Sequence, residues 1–299
     1  VTDRFGWRPA CLALAVVAVW GVNFTVIKLA VGQFPPLLFA ALRFTAVVLP
    51  LVFFVRRPPV SWAVLARYGL LIGVGQFGLL FVAIDGLIAP GLASLLMQAQ
   101  VFFTLALVMR GTDERLVPVQ WLALALTAAG LGVIVAHTGG ATSVAGVALC
   151  LVAALCWAAG NVVQRRAGRV DMLGFVVWSS LFAVPPLFAL TFALEGPARI
   201  GTALAQAGPA AWGAVAYQAI GNTIFGYGVW GWLLARYPAS AVASMSLLVP
   251  VFGIGVAALW LGEPLYAWEL AAAALIIGGL AGNLLGPALF RRWAAVPEG

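Results

Sequence analysis

Long apolar runs recur from one end of this sequence to the other, broken only by short clusters of charge, proline and glycine. A run of about 20 apolar residues, wound as an α-helix, matches the hydrocarbon thickness of a bilayer. Read that way, ten spans are predicted, at 9–31, 35–55, 62–84, 87–109, 117–137, 144–165, 171–194, 208–235, 237–261 and 266–290. Inside lipid the backbone must satisfy its own hydrogen bonds, so each run has to be helical. Charged residues make up 8% of the chain and hydrophobic residues 64%, whereas a soluble domain carries charge on roughly a quarter of its positions. So little charge cannot make a soluble surface. The predicted fold class is an all-α integral membrane protein with ten transmembrane helices.

The basic residues test the span count. Arg4, Arg8, Arg56, Arg57, Arg67, Arg110, Arg115, Arg165, Arg166, Arg169, Arg236, Arg291 and Arg292 fall on one side of the predicted membrane, thirteen in all. Arg199 alone falls on the other, and Lys28 and Arg43 lie within spans. Cytoplasmic loops are the ones enriched in arginine and lysine, so both termini are expected in the cytoplasm. The net charge of +7 therefore reports orientation; the basic residues form no stripe that would bind nucleic acid. Cys11, Cys150 and Cys156 lie inside apolar runs without CxxC spacing and read as small buried hydrophobes, not as metal ligands or a disulfide framework. The first run, with its internal Asn23 and Lys28, reads as a membrane span and not as a signal peptide. Prolines at span starts, among them Pro35, Pro36, Pro118, Pro209 and Pro238, suit the first helical turn.

The two halves resemble each other. Ala93-Ser94 and Val101-Phe102 recur 150 residues later as Ala243-Ser244 and Val251-Phe252, and Trp62 and Gly78 share that offset with Trp212 and Gly228. Trp20 with Asn23 is echoed by Trp157 with Asn161. The expected units are residues 1–143 and 144–299. Five spans is an odd number, so the second unit would lie upside down relative to the first. Such inverted repeats are common in secondary transporters, where the substrate site lies near the midplane between the halves.

Trp20-Gly-Val-Asn23-Phe24, Lys28, Pro35-Pro36, Ala41-Leu-Arg43-Phe44 and Leu261-Gly-Glu263-Pro264 together resemble the EamA-type branch of the drug/metabolite transporter superfamily, over essentially the whole chain. The resemblance implies a ten-helix transporter of the bacterial inner membrane, often an exporter of amino acids and other metabolites. Within the family the sequence is most similar to exporters of aromatic amino acids. The second half departs from the first in lacking a counterpart of Arg43, since Trp178 or Leu181 falls there.

Polar side chains within a membrane usually face the bundle interior or a water-filled cavity. Trp20 and Asn23 share a face of the first helix, Trp157 and Asn161 a face of the sixth, Ser94 and Gln98 of the fourth, and Gln218 and Asn222 of the eighth. Gln76 lies on the third helix and Ser244 on the ninth. With Met97 and Tyr227 these residues are the candidate substrate-binding set. Amides and hydroxyls without a cation cluster suit neutral amphipathic molecules such as large neutral amino acids, not sugar phosphates. The alternative for each residue is a structural interhelical hydrogen bond.

Lys28 is placed to snorkel to the interface. Arg43 lies deep in the second span, roughly 12 Å along its axis at 1.5 Å per residue, and needs a partner; Glu269, Glu263 and Asp85 are the candidates. None of the nine acidic residues lies near a span centre and the one histidine, His137, sits at a span end. Facilitated transport without obligatory proton coupling is therefore expected. No GxxxxGK[ST] motif is present, so no nucleotide or other cofactor is expected. The rival classes are a channel, a membrane scaffold and a membrane-embedded enzyme; the last would need paired acids or a metal cluster. Ten helices can enclose a path within one chain, so a monomer is expected.

Overall fold

Because each run must close its own backbone hydrogen bonds, the apolar segments fold as long helices whose ends fall where proline, serine and aspartate stand. The computed structural model describes residues 6–110, 117–139, 142–168, 170–237 and 239–294, without the side chains of 239, 240 and 287–294. Asp3, Arg4, Asp113, Glu114, Arg115, Arg169, Pro238 and Glu298 lie outside the described residues, as do the side chains of Arg291 and Arg292. Among the described residues there is no strand, only an isolated bridge between Gly139 and Thr142.

Among the described residues, nine helices are long and apolar enough to cross a membrane. These are α1 (Trp7–Val31), α2 (Pro36–Phe53), α3 (Trp62–Ile84), α4 (Pro90–Met109), α5 (Pro118–Ala136), α6 (Val144–Ala167), α7 (Met172–Glu195), α9 (Ala241–Leu261) and α10, which starts at Ala267 and runs to Ala294. Between α7 and α9 a further long helix, α8, spans 209–236. Gln218, Asn222, Thr223 and Tyr227 make it too polar to count with the others on composition. The predicted spans match all these helices to within a few residues. The connection 195–207, which falls between two predicted spans, winds into a short helix, Pro197–Gln206, that buries Ile200 and Ala203.

Local chemistry sets the ends. Pro36, Pro90, Pro118 and Pro209 open α2, α4, α5 and α8, where a missing N–H costs nothing. Ser143 and Asp171 accept from the backbone N–H of Gly146 and Gly174 at 3.0 and 2.7 Å and so cap α6 and α7. The cap of α2 comes from another helix: the Glu195 carboxylate, at the end of α7, accepts from Leu37 and Leu38 N–H at 2.7 and 3.0 Å.

Each helix packs on several others. α5 lies against α10, α2 against α7, and α4 against α9; α1 meets α8 and α9, α6 meets α3 and α4, α3 meets α7, and α8 meets α2. Small residues permit this. A Cβ on Gly279 would stand 2.6 Å from the Ala123 carbonyl oxygen, and one on Gly69 would collide with the Ser179 carbonyl, so α10 touches α5 and α3 touches α7 nearly backbone to backbone. Four of the long helices depart from α geometry midway. Residues Leu70–Gly78 of α3 and Tyr217–Phe225 of α8 wind as π-helix, and Met97–Ala99 of α4 and Ser246–Leu248 of α9 as 3₁₀ turns. Those departures surround the site.

Candidate functional site

At the middle of the bundle is a cavity of about 930 Å³. Ten of the twelve residues predicted as a substrate-binding set line it: Trp20 and Asn23 from α1, Gln76 from α3, Ser94, Met97 and Gln98 from α4, Trp157 and Asn161 from α6, and Asn222 and Tyr227 from α8. Helix α9 contributes Ala243, Ser246 and Val249. Two predicted residues stand off the wall. Gln218 is fully buried behind Asn222, whose Nδ2 donates to its Oε1 at 3.3 Å. The Ser244 hydroxyl donates to the Ala241 carbonyl of its own helix, and Ser246 meets the cavity instead.

The wall has an aromatic side and an amide side. Trp20 stands 5.8 Å from Tyr227 and 5.1 Å from Trp230, centroid to centroid, and its indole N–H donates to the Asn222 carbonyl oxygen at 3.2 Å, tying α1 to α8. Across the cavity, Asn161 Nδ2 donates to Gln100 Oε1 at 2.9 Å and to Thr104 Oγ1 at 3.3 Å, tying α6 to α4. Gln100, Gln164, Trp230 and Ser246 line the cavity and were not singled out from the sequence. Gln100 lies two residues from Gln98, a spacing that puts side chains on opposite faces of an ideal helix. The 3₁₀ turn at Met97–Ala99 winds more tightly and brings both to the wall.

Arg43 differs from its sequence reading. It is 1% exposed, and none of the proposed carboxylates is its partner. Asp85 approaches Arg199 at 4.0 Å, Glu269 accepts from the Tyr266 N–H, and Glu263 lies beside Gly91. The guanidinium instead covers Phe77, 3.5 Å from the ring centroid, with Phe44 at 4.9 Å, and donates to Thr223 Oγ1 at 3.4 Å. Aromatic faces replace the missing anion because their quadrupole attracts a cation most strongly where water is excluded. Phe77 belongs to the cavity wall, so Arg43 lies one layer behind it. Lys28 donates to the Ile84 carbonyl oxygen, the end of α3, at 3.2 Å.

The two ends of the cavity differ. Its lining reaches Gln164, Asp171, Met172 and Ala235, beside the helix ends that carry Arg165, Arg166 and Arg236. At the opposite end α1, α4 and α9 close together. A Cβ on Gly21 would stand 2.7 Å from the Val249 carbonyl oxygen, and one on Gly253 would stand 2.6 Å from Ser94 Oγ. Burial of the Glu263 carboxyl there pushes its pKa up, against the pull of the Gly91 N–H; Glu269 adds to the rise and Lys28 opposes it.

A helical membrane bundle with a central cavity of amides and aromatic rings is the build of a solute transporter. The chain belongs to the EamA-like transporter family, of the drug/metabolite transporter superfamily, which it matches over residues 7–136 and again over 144–285. It is 43% identical over 285 residues to a probable amino-acid metabolite efflux pump of Salmonella typhimurium strain LT2, covering 93% of this chain and 95% of the relative. The protein of the same description in Escherichia coli strain K12 is 41% identical over the same share of each chain. An uncharacterised transporter of Bacillus subtilis, YvbV, is 29% identical over 90% of this chain and 89% of its own. A solved structure described only as the crystal structure of a protein superposes with a TM-score of 0.60 at 22% identity, over 93% of this chain and 97% of its own, a likeness of fold alone.

Proposed function

We propose that the chain is a bacterial inner-membrane exporter of amino acids and their metabolites, with aromatic and other large neutral amino acids as preferred substrates. The observation that carries this reading is the chemistry of the cavity wall. Amides, hydroxyls, a thioether and aromatic rings surround it, and among its described residues only Asp171, at the Arg-rich end, is charged. Rings and the Met97 thioether favour a large apolar side chain, and amides bind polar groups without a fixed charge. A phosphorylated substrate would call for cations on the wall. The two relatives described as probable amino-acid metabolite efflux pumps support the same substrate class.

Alternating access is the mechanism this reading implies, with residues 1–143 and 144–299 as inverted repeats. Three observations support it. Exchanging α1–α5 for α6–α10 in order turns the α1–α9 contact into α6–α4, α3–α6 into α8–α1, and α3–α7 into α8–α2, and each of these contacts is made. The π segments fall on the exchanged pair α3 and α8, and the 3₁₀ turns on α4 and α9. The family matches twice, once in each half. Counting α8 as a crossing gives ten, which returns both termini to one side, and the arginine bias makes that side cytoplasmic. The reading takes a monomer as the working unit, because ten helices can enclose a path within one chain. No carboxylate lies at mid-depth on its wall among the described residues, in keeping with facilitated transport.

Purified protein in proteoliposomes tests the reading. Saturable, downhill uptake of phenylalanine, tryptophan and methionine, unaffected by abolishing a pH gradient, is the expected result. Preference for a sugar phosphate, or accumulation driven by a proton gradient alone, would overturn it.

A further inference from the structure

Three unpaired amides meet on the cavity wall, and two of them present their donor ends to it. Asn23 on α1, Gln76 on α3 and Gln98 on α4 line the cavity and are 4%, 4% and 6% exposed. The carbonyl oxygens of Asn23 and Gln76 are sunk in the protein without a donor. The ends of these two side chains that meet the cavity are therefore the NH₂ groups, and neither makes a hydrogen bond to the protein. Gln98 likewise bonds to no protein group, and its amide is open to the cavity. Burying two acceptors unpaired is unfavourable, and the arrangement is sensible if the donors have work that the protein itself does not supply.

Backbone geometry marks the same residues. Gln76 lies in the π-helical stretch of α3 and Gln98 in the 3₁₀ turn of α4, and such mid-helix departures mark functional positions. Helices α1, α3 and α4 pack on one another, so the three side chains converge from neighbouring elements. Behind this wall lies the Arg43 guanidinium, 3.5 Å from the Phe77 ring centroid, with its Nε and Nη1 unpartnered. A buried cation one layer back, held by rings and a hydroxyl and not by a carboxylate, makes the local potential positive. Among the described lining residues the one carboxylate, Asp171, stands at the Arg-rich end and caps α7.

We propose that Asn23, Gln76 and Gln98 form a carboxylate subsite, and that this end of the substrate is recognised by its carboxylate and not by an α-amino group. The proposal rests on the transport function proposed above and narrows it. The substrate class then extends from large neutral amino acids to their 2-oxo, 2-hydroxy and N-acyl relatives. A substrate amine without a carboxylate is excluded.

The test uses purified full-length protein and two readouts: thermal stabilisation in detergent, and competition against phenylalanine uptake in proteoliposomes. The probes are 3-phenylpropionate, which has a carboxylate and no amine, and phenethylamine, which has the reverse. The expected result is stabilisation and competition by 3-phenylpropionate and neither by phenethylamine. In Gln76→Glu and Gln98→Glu, 3-phenylpropionate should bind about tenfold more weakly or worse, the loss of a hydrogen bond to a charged group. If both variants fail to fold, the wild-type comparison of the two probes decides alone. Stabilisation by 3-phenylpropionate without phenylalanine uptake would sink the transport reading and keep the subsite. Phenylalanine uptake inhibited by phenethylamine as well as by 3-phenylpropionate, or no stabilisation by 3-phenylpropionate, would overturn the subsite.

Discussion

The Arg43 guanidinium lies 3.5 Å from the centroid of the Phe77 ring, and the Phe77 side chain forms part of the cavity wall. A buried cation thus backs the cavity wall through an aromatic intermediary. Desolvated cation–π contacts contribute about 2 kcal/mol, and removing the ring strands the charge. Arg43→Met should keep the KM for phenylalanine within a few-fold while lowering the melting temperature or yield. Phe77→Leu should do both kinds of damage, weakening transport and stability together. Unchanged stability in Arg43→Met with transport abolished would show that Arg43 is a substrate contact and not a clamp.

Arg43 also marks the limit of what the sequence discloses. Its depth in α2 was legible, because 1.5 Å per residue fixes depth. Its partner was not, since counting acids cannot reveal a cation held by Phe77, Phe44 and Thr223. The helices were legible for the reason that makes membrane proteins regular: lipid leaves the backbone no alternative. Inward faces were legible where helices stay ideal, as for Trp20 with Asn23 and Trp157 with Asn161. The two misses lie in or beside segments where the winding changes, although Gln76, Met97, Gln98 and Asn222, in such segments, do reach the wall. Gln218 shares a face with Asn222 by spacing, yet lies behind it within a π stretch. On α9 the wall is met by Ser246, at the 3₁₀ turn, instead of Ser244. The caps that pin separate elements, such as Glu195 on the start of α2, have no sequence signature because donor and acceptor lie far apart in the chain.

Gly21 lets α1 and α9 pack closely at the Arg-poor end of the cavity, which the alternating-access proposal makes the closed gate. A Cβ there would stand 2.7 Å from the Val249 carbonyl oxygen and would collide with Phe252. Backbone cannot yield as a flexible side-chain tip can, and overpacking of this kind costs about 1–3 kcal/mol. Gly21→Val should therefore disfavour this conformation and favour one open at that end. A single cysteine at Met97, in a background freed of the native thiols, should react several-fold faster with a membrane-impermeant reagent applied from that side. No change in labelling, with the protein folded, would count against this end being the gate.

If that end is the gate, Glu263 beside Gly91 predicts that it responds to pH. Burial is the largest influence on its carboxyl and raises its pKa; the Gly91 N–H lowers it, Glu269 raises it and Lys28 lowers it. An acid whose pKa is raised in one conformation binds its proton more tightly there, so protonation favours that conformation. The closed gate gains stability as pH falls through the raised pKa, and the gain is complete below the ordinary carboxylate value. Labelling of the cysteine at position 97, expressed throughout relative to a solvent-exposed cysteine at the same pH so that the thiol's own titration cancels, should therefore slow as external pH is lowered across the carboxylate range. Glu263→Gln should label slowly at every pH, and a slope surviving in that variant would assign the effect elsewhere.

Trp20 separates shape from hydrogen bonding in the aromatic wall. Its ring faces Tyr227 and Trp230 across 5.8 and 5.1 Å, while its N–H ties α1 to the Asn222 carbonyl on α8. Trp20→Phe keeps a ring and loses the hydrogen bond, worth about 1 kcal/mol. Trp20→Ala also loses the apolar face. If the ring is a substrate surface, kcat/KM for phenylalanine should fall only a few-fold in Trp20→Phe but by about tenfold or more in Trp20→Ala, the scale of an aromatic contact together with its buried area. Threonine, with little apolar surface to lose, should be transported by Trp20→Ala nearly as well as by the unaltered protein. Equal losses for threonine and phenylalanine would make Trp20 a strut between α1 and α8, and the preference for large side chains would then have to come from other rings of the wall, Trp157 and Phe77.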